Sequence, residues 1–183
     1  VLEETLPLLH PTPRIRWNII SSASEADFQA GTINVFDLKN IAPGSFAIGK
    51  TAPECGRASV EYIMTAIHLA KGKQVDAITT APINKEAMNR AGFAYEGHTQ
   101  ILAEQTHAKS HAMLFVADRL WVVLATTHIA LRDVPTKLTT DRVFETITLG
   151  HDFVKKMKQK TPRIGVAGLN PHAGEGGLFG DED

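Results

Sequence analysis

Three histidines stand among small and hydroxyl residues: His98 in Gly97-His98-Thr99-Gln100, His128 at the end of Ala125-Thr126-Thr127-His128, and His172 inside Gly168-Leu169-Asn170-Pro171-His172-Ala173-Gly174-Glu175-Gly176-Gly177. A neutral imidazole offers a nitrogen lone pair to a divalent ion, and an open site keeps positions free for substrate oxygens. His128 and His172 each follow an apolar run that reads as a buried strand, which makes them the candidate metal ligands. Two ligands are an incomplete set, so a third must come from elsewhere. A single loop histidine is more often a surface or hydrogen-bonding residue; two at successive strand ends bring the two readings level. His98-Thr99 reads either as a plain helix start capped by Thr99 or as a helix N-terminus whose free amides suit an anion. Lys85, in the first turn of a predicted helix, opposes the helix dipole. A bound anion would account for it as a candidate contact, and a solvated lysine is the plainer reading.

The elements that must position these residues follow from periodicity. Val60, Ile63, Met64 and Ile67 recur at i, i+3, i+4 and i+7, predicting a helix from Ala52 to Gly72. Arg14 to Ser21 predicts a strand, as do Gln74 to Thr79, His111 to Val116, Leu120 to Thr126 and Arg163 to Gly168, with a shorter one at Thr32 to Phe36. Asp118-Arg119 is the turn between two of them. A second helix is predicted from Thr80-Ala81-Pro82 to Ala91, a third from Thr99 to Ala108. A long one is capped by Thr139 or Thr140, with Val143, Ile147, Val154 and Met157 inward and lysines from Lys155 to Lys160 at its C-terminal end. Val1 to Leu9 reads as a short amphipathic piece. Strands alternating with helices predict an α/β fold with a mostly parallel sheet. In such sheets ligands sit beyond the carboxyl ends of strands, where Thr79 to Lys85, Thr126 to His128 and Asn170 to Glu175 fall. His10, His68, His107, His111 and His151 read as structural.

Composition removes several classes. The chain has 183 residues and a net charge of −1, so it carries no basic field for nucleic acid. Cys55 is the single cysteine, which excludes an internal disulfide and a cysteine-based zinc site and fits a reducing cytoplasm. No apolar run approaches the roughly 20 residues of a membrane span. Gly174-Glu175-Gly176-Gly177 lacks the Gly-Lys-Ser/Thr of a P-loop, and no Gly-x-Gly-x-x-Gly follows a strand. No Gly-x-Ser-x-Gly elbow supports a serine triad. Val1 to Leu6 reads as the tail of a helix already under way, and Asp181 to Asp183 stops where a helix should begin. The expectation is a segment of a longer protein, truncated at both ends.

Taken in order, Thr80-Ala81-Pro82-Ile83-Asn84-Lys85, Gly97-His98-Thr99, Ala125-Thr126-Thr127-His128 and Leu169-Asn170-Pro171-His172-Ala173-Gly174-Glu175-Gly176-Gly177 resemble the 4-hydroxythreonine-4-phosphate dehydrogenase (PdxA-like) family of vitamin B6 biosynthesis. Gly56-Arg57-Ala58 and the run from Thr127 to Val134 add to the likeness, which is strong over residues 49–183 and looser before them. The resemblance implies a three-layer α/β/α fold like isocitrate and isopropylmalate dehydrogenases, and a cytoplasmic homodimer with active sites shared between subunits. It implies that His128 and His172 are two of three histidines binding a divalent metal (zinc, magnesium or cobalt). The third lies in a Tyr-His-Asp-Gln-Gly-like segment with no counterpart here. It implies that His98 and Thr99 bind substrate and that His98 takes part in catalysis, while assigning no residue of this chain to the cofactor, NAD or NADP. The implied reaction is oxidation of the secondary alcohol of 4-phosphohydroxy-L-threonine, then decarboxylation. Relatives acting on 4-phospho-threonate or an aromatic dihydrodiol share these motifs. From the residues alone, a metal-dependent hydrolase and a non-catalytic binding module stand as alternatives.

Overall fold

Pro53 to Lys71 form the longest helix of the first half, α1 (Pro53–Lys71), with proline in its first turn and Gly72 closing it. The computed structural model describes residue 2 and residues 15–158 and 160–183. The amphipathic piece at Val1 to Leu9 lies almost entirely outside the described residues. Two compact units divide the chain, Val1–Ala108 and Lys109–Asp183.

In the first unit, the apolar stripe of α1 does what its spacing predicts. Val60, Ile63 and Ile67 are buried with Met88 and Ile101, and Met64 packs at the margin. Met88 belongs to α2 (Lys85–Arg90) and Ile101 to α3 (His98–Thr106). Burying each such side chain contributes about 1.5–3 kcal/mol relative to leaving it in water, so this cluster is the main tie among the three helices. β1 (Arg16–Ile20) and β2 (Thr32–Phe36) pair in parallel, Arg16 opposite Thr32 and Ile20 opposite Phe36. Asn18 and Asn34 join across the pair, Nδ2 to Oδ1 at 2.8 Å.

The approach of α1 to α2 sets a testable limit. A Cβ added to Gly56 would collide with the backbone carbonyl of Ala87. In an open helix, Gly→Ala gains roughly 1 kcal/mol of propensity. Here overpacking against rigid backbone costs about 1–3 kcal/mol, so the sign reverses. Gly56→Ala is expected to lower the melting temperature by several degrees; a variant that melts higher would mean the helices separate freely.

In the second unit, β3 (Leu114–Ala117) and β4 (Leu120–Val123) form an antiparallel hairpin turning at Asp118-Arg119, with Asp118 at φ 35°. Val134–Lys137 make a short helix, α4, and Thr140–Lys158 the long α5. Thr139 caps α5: its Oγ1 accepts from the Arg142 amide at 3.2 Å. Thr146 and Gly150 are buried, and a Cβ on Gly150 would sit 3.2 Å from Val123 Cγ1, so α5 lies close on β4.

The mixed α/β class holds, with two corrections to the sheet. The paired strands form two two-stranded sheets, one parallel and one antiparallel, rather than one mostly parallel sheet. Gln74 to Thr79 and Arg163 to Gly168 make no paired strand; an apolar run becomes a strand only when a ladder partner lies beside it, and among the described residues none does. The second helix begins at Lys85, not Thr80, because Asn84 is the cap and Pro82 turns the preceding residue away from helical backbone. The third begins at His98, with Gly97 in the cap position and Thr99 inside the first turn. Met157 is 60% exposed despite its place on the inner stripe. Four-residue strands span about 13 Å and a 19-residue helix about 28 Å, so the helix outruns the hairpin.

Candidate functional site

His98 is placed by a local hydrogen-bond pattern. The Gly97 carbonyl accepts the Ile101 amide at 3.3 Å, and Gln100 Oε1 reaches back to accept the Glu96 amide at 2.8 Å. This closes the first turn of α3 without a side-chain hydroxyl. The half-buried His98 then lines a cavity of about 180 Å³ with Ser59, Tyr62, Thr79, Thr80 and Pro82. Two separate motifs, the Thr80-Ala81-Pro82 stretch and His98, meet at this one cavity. Most of its remaining wall is apolar, from Ile63, Ile78 and Ile83. Tyr62 donates its hydroxyl to Asn40 Oδ1 at 2.9 Å. Burial first, then the Asp37 and Glu61 carboxylates and Cys55, push the Tyr62 phenol above its ordinary value, so it stays a donor at neutral pH.

Thr99 is exposed and does not line that cavity. Lys85 is also exposed, in the first turn of α2 beside Glu86, whose carboxylate pairs with Arg90 at 2.7 Å. The Asn84 side chain already accepts from the Ala87 amide at 2.8 Å, so one free amide of that helix start is satisfied within the chain.

His128 and His172 both lie in the second unit, and both are exposed. Each takes left-handed backbone, φ 56° at His128 and φ 55° at His172. A bulky side chain at positive φ is uncommon and is held there by its surroundings. β4 has already ended at Val123, where its ladder with β3 ends, and His128 lies five residues further on. At His172 the left-handed backbone opens six successive positive-φ residues, from His172 to Gly177. The left-handed turn is closed by Gly177 and Phe179 amides, both donating to the Gly174 carbonyl, at 3.0 and 3.1 Å. Gly174 is buried at φ 72°, and a Cβ there would come within 2.5 Å of the Gly180 carbonyl oxygen. The His172 ring lies 5.8 Å from that of Phe179.

Carboxylates clasp the foot of this turn. Asp183 accepts the Leu169 amide at 2.5 Å and the Asn170 amide at 3.0 Å, and Glu182 accepts Asn170 Nδ2 at 2.7 Å. Hydrogen bonds from the Asn170 amide, then that of Leu169, hold the Asp183 carboxyl below its ordinary value; the Asn170 side chain does the same for Glu182. A carboxyl depressed in the folded state stabilises it above the unfolded pKa of about 4, and that contribution fades as pH falls through the lowered value. Acidification below about pH 4 is therefore expected to release the clasp. The Leu169 and Asn170 amide resonances report it directly: shifts that stay flat to about pH 2 would remove the clasp from the account.

The metal implied by the resemblance is tested by the donors. Two imidazoles suit a divalent ion of the zinc type. Among the described residues, however, no three His, Cys, Asp or Glu side chains come together as a complete set. The sequence missed Arg142, whose guanidinium reaches the segment before His128. Among the described residues, no helix is long and apolar enough to cross a membrane.

Comparison with known proteins shows the family of the chain. The family model described as "Pyridoxal phosphate biosynthetic protein PdxA" covers residues 1–183. A D-threonate 4-phosphate dehydrogenase of Salmonella typhimurium is 42% identical over 172 residues, 94% of this chain and 53% of that protein. A 4-hydroxythreonine-4-phosphate dehydrogenase of Desulfosudis oleivorans is 44% identical over 158 residues, 85% of this chain and 46% of that protein. The crystal structure of a 4-hydroxythreonine-4-phosphate dehydrogenase from Klebsiella pneumoniae superposes with a TM-score of 0.91 at 41% identity, over 99% of this chain and 55% of that one. The chain thus spans about half the length of the relatives it matches. With the family match running over residues 1–183 and a close structural counterpart at 41% identity, the chain belongs to the PdxA family.

Proposed function

We propose that this chain forms part of an NAD(P)-dependent dehydrogenase that oxidises the secondary alcohol of 4-phosphohydroxy-L-threonine or a close phosphorylated hydroxy acid, with loss of CO2 from the resulting β-keto acid, in pyridoxal phosphate biosynthesis. The observation that carries this reading is the meeting of His98 with the Thr79–Ile83 stretch at one cavity, in a chain matched by the PdxA family model over residues 1–183.

In this reading the substrate hydroxyl lies against His98, whose imidazole would accept the hydroxyl proton; a nicotinamide, when bound, would supply the hydride acceptor. Thr99, exposed in the same helix turn, is the second substrate contact that the family resemblance implies. Lys85 remains the candidate contact for an anionic group. His128 and His172 supply two of three ligands to a divalent ion (zinc, magnesium or cobalt), the third coming from outside the described residues. Such an ion, when bound, would supply Lewis-acid polarisation of a substrate oxygen. The whole enzyme is a cytoplasmic homodimer with shared active sites, built on the three-layer α/β/α fold of the isocitrate and isopropylmalate dehydrogenases.

The Salmonella relative's name favours a second substrate, D-threonate 4-phosphate, within the same chemistry. Full-length protein incubated with a divalent metal, NAD or NADP and each candidate, including an aromatic dihydrodiol, is expected to form reduced nicotinamide and CO2 with one phosphorylated hydroxy acid. Phosphate release with no reduced nicotinamide would replace this reading by a metal-dependent hydrolase.

A further inference from the structure

We propose that Arg142 is a positioning residue for His128, acting through the backbone of Ala125. This rests on the reading of His128 as a metal ligand for its functional meaning, but its geometry is independent of that reading.

Arg142 stands in the first turn of α5, its own backbone pinned on both sides. Its amide donates to Thr139 Oγ1 at 3.2 Å, and its carbonyl accepts from Thr146 Oγ1 at 2.8 Å. The guanidinium is 30% exposed and uses three donors in three directions. Nε donates to the Ala125 carbonyl at 2.7 Å, Nη2 to the His111 carbonyl at 3.4 Å, and Nη1 to Glu145 Oε2 at 2.6 Å. Glu145 orients the fork; the two carbonyls are its load.

Those carbonyls bracket the hairpin. His111 precedes β3 and Ala125 follows β4, and the Leu124 amide donates to the Met113 carbonyl at 3.0 Å between them. Beyond Ala125 the chain must turn into left-handed backbone within three residues, to reach His128 at φ 56°. Strained backbone persists where neighbouring contacts over-determine it. The shortest of the Arg142 bonds to backbone falls on the last residue before Thr126-Thr127-His128. A planar guanidinium reaches two carbonyls and a carboxylate from three separate nitrogens, whereas a lysine ammonium holds its donors on one nitrogen and lacks that span. The plainer alternative is that Arg142 merely staples α5 to the hairpin, in which case its loss would lower stability everywhere and leave the His128 segment no more mobile than the rest.

The test uses full-length protein with R142K, R142M and H128A variants. Three quantities are read: amide hydrogen exchange over residues 125–128 without metal, cobalt affinity from its absorption on titration, and the melting temperature. R142K keeps the charge and loses the fork. It is expected to speed exchange at residues 125–128 with the protection of α5 kept, and to weaken cobalt binding about tenfold, the low end of what supporting partners of a metal ligand contribute. Wild-type exchange at residues 125–128 in R142K overturns the proposal, as does acceleration spread evenly over the whole unit. If R142M fails to fold, R142K carries the test alone. If H128A itself binds cobalt as wild type does, the ligand reading of His128 falls. The positioning role is then judged on exchange, where local acceleration upholds it and its absence ends it.

Discussion

Replacing His98 by glutamine in the full-length enzyme is expected to lower kcat by about 10²–10⁴, the range that a positioned proton-transfer group contributes. Glutamine retains polarity and approximate size but cannot take up a proton, so substrate should still bind and KM should move little. The location of His98 makes this a clean experiment. Its ring borders the cavity beside Thr80 and Pro82, while the buried cluster of Val60, Met88 and Ile101 holds α3 in place through Ile101. Because the half-buried imidazole is not part of that cluster, the melting temperature should stay near that of the wild type. A variant that turns over normally with a raised KM would leave His98 a binding role only.

Replacing His128 or His172 by alanine is expected to weaken divalent-ion binding by more than about a hundredfold in the full-length protein. Groups that merely support a metal ligand contribute 10–100-fold in affinity, so loss of a ligand itself should exceed that. Competition with a chelator of known strength, followed for zinc or cobalt, measures it. The two substitutions differ in one respect. Alanine at 172 leaves the left-handed turn and its Asp183 clasp in place, since neither the Gly174 acceptor nor the Leu169 and Asn170 donors are touched. Near-normal affinity in either variant would take that histidine out of the ligand set.

What could be read from the residues divides along physical lines. α1 was legible because Val60, Ile63 and Ile67 repeat with helical spacing over about two turns and need no distant partner to do so. The hairpin was legible because Asp118-Arg119 sits between two apolar runs, so both partners of the ladder are local. Gln74 to Thr79 and Arg163 to Gly168 look equally strand-like, yet a ladder is a property of two segments, and one segment cannot announce its mate. The helix at Lys85 was placed early because Thr80 and Asn84 are both competent caps; the choice between them lies with Pro82. At the site, residue type marked His98, His128 and His172. It could not mark Arg142, whose importance lies in which carbonyls it meets, and carbonyls are the same in every residue. The cavity joining His98 to Thr79 and Thr80 likewise depends on how α1 and α3 pack.

The run from His172 to Gly177 has a further consequence, one of chirality. Six successive residues take positive φ, and His172 and Ala173 among them adopt the mirror image of helical backbone. For L-residues other than glycine that geometry costs on the order of 1–2 kcal/mol each, and His172, Ala173 and Glu175 all bear it. A D-residue at 173 would sit there as comfortably as an L-residue sits in α1. The glycines of Asn-Pro-His-Ala-Gly-Glu-Gly-Gly therefore record the hand of the backbone as much as any ligand it faces. A substitution at Gly174, Gly176 or Gly177 that silences the enzyme would then report the loss of a turn's handedness, with no need for the lost residue ever to have touched metal or substrate.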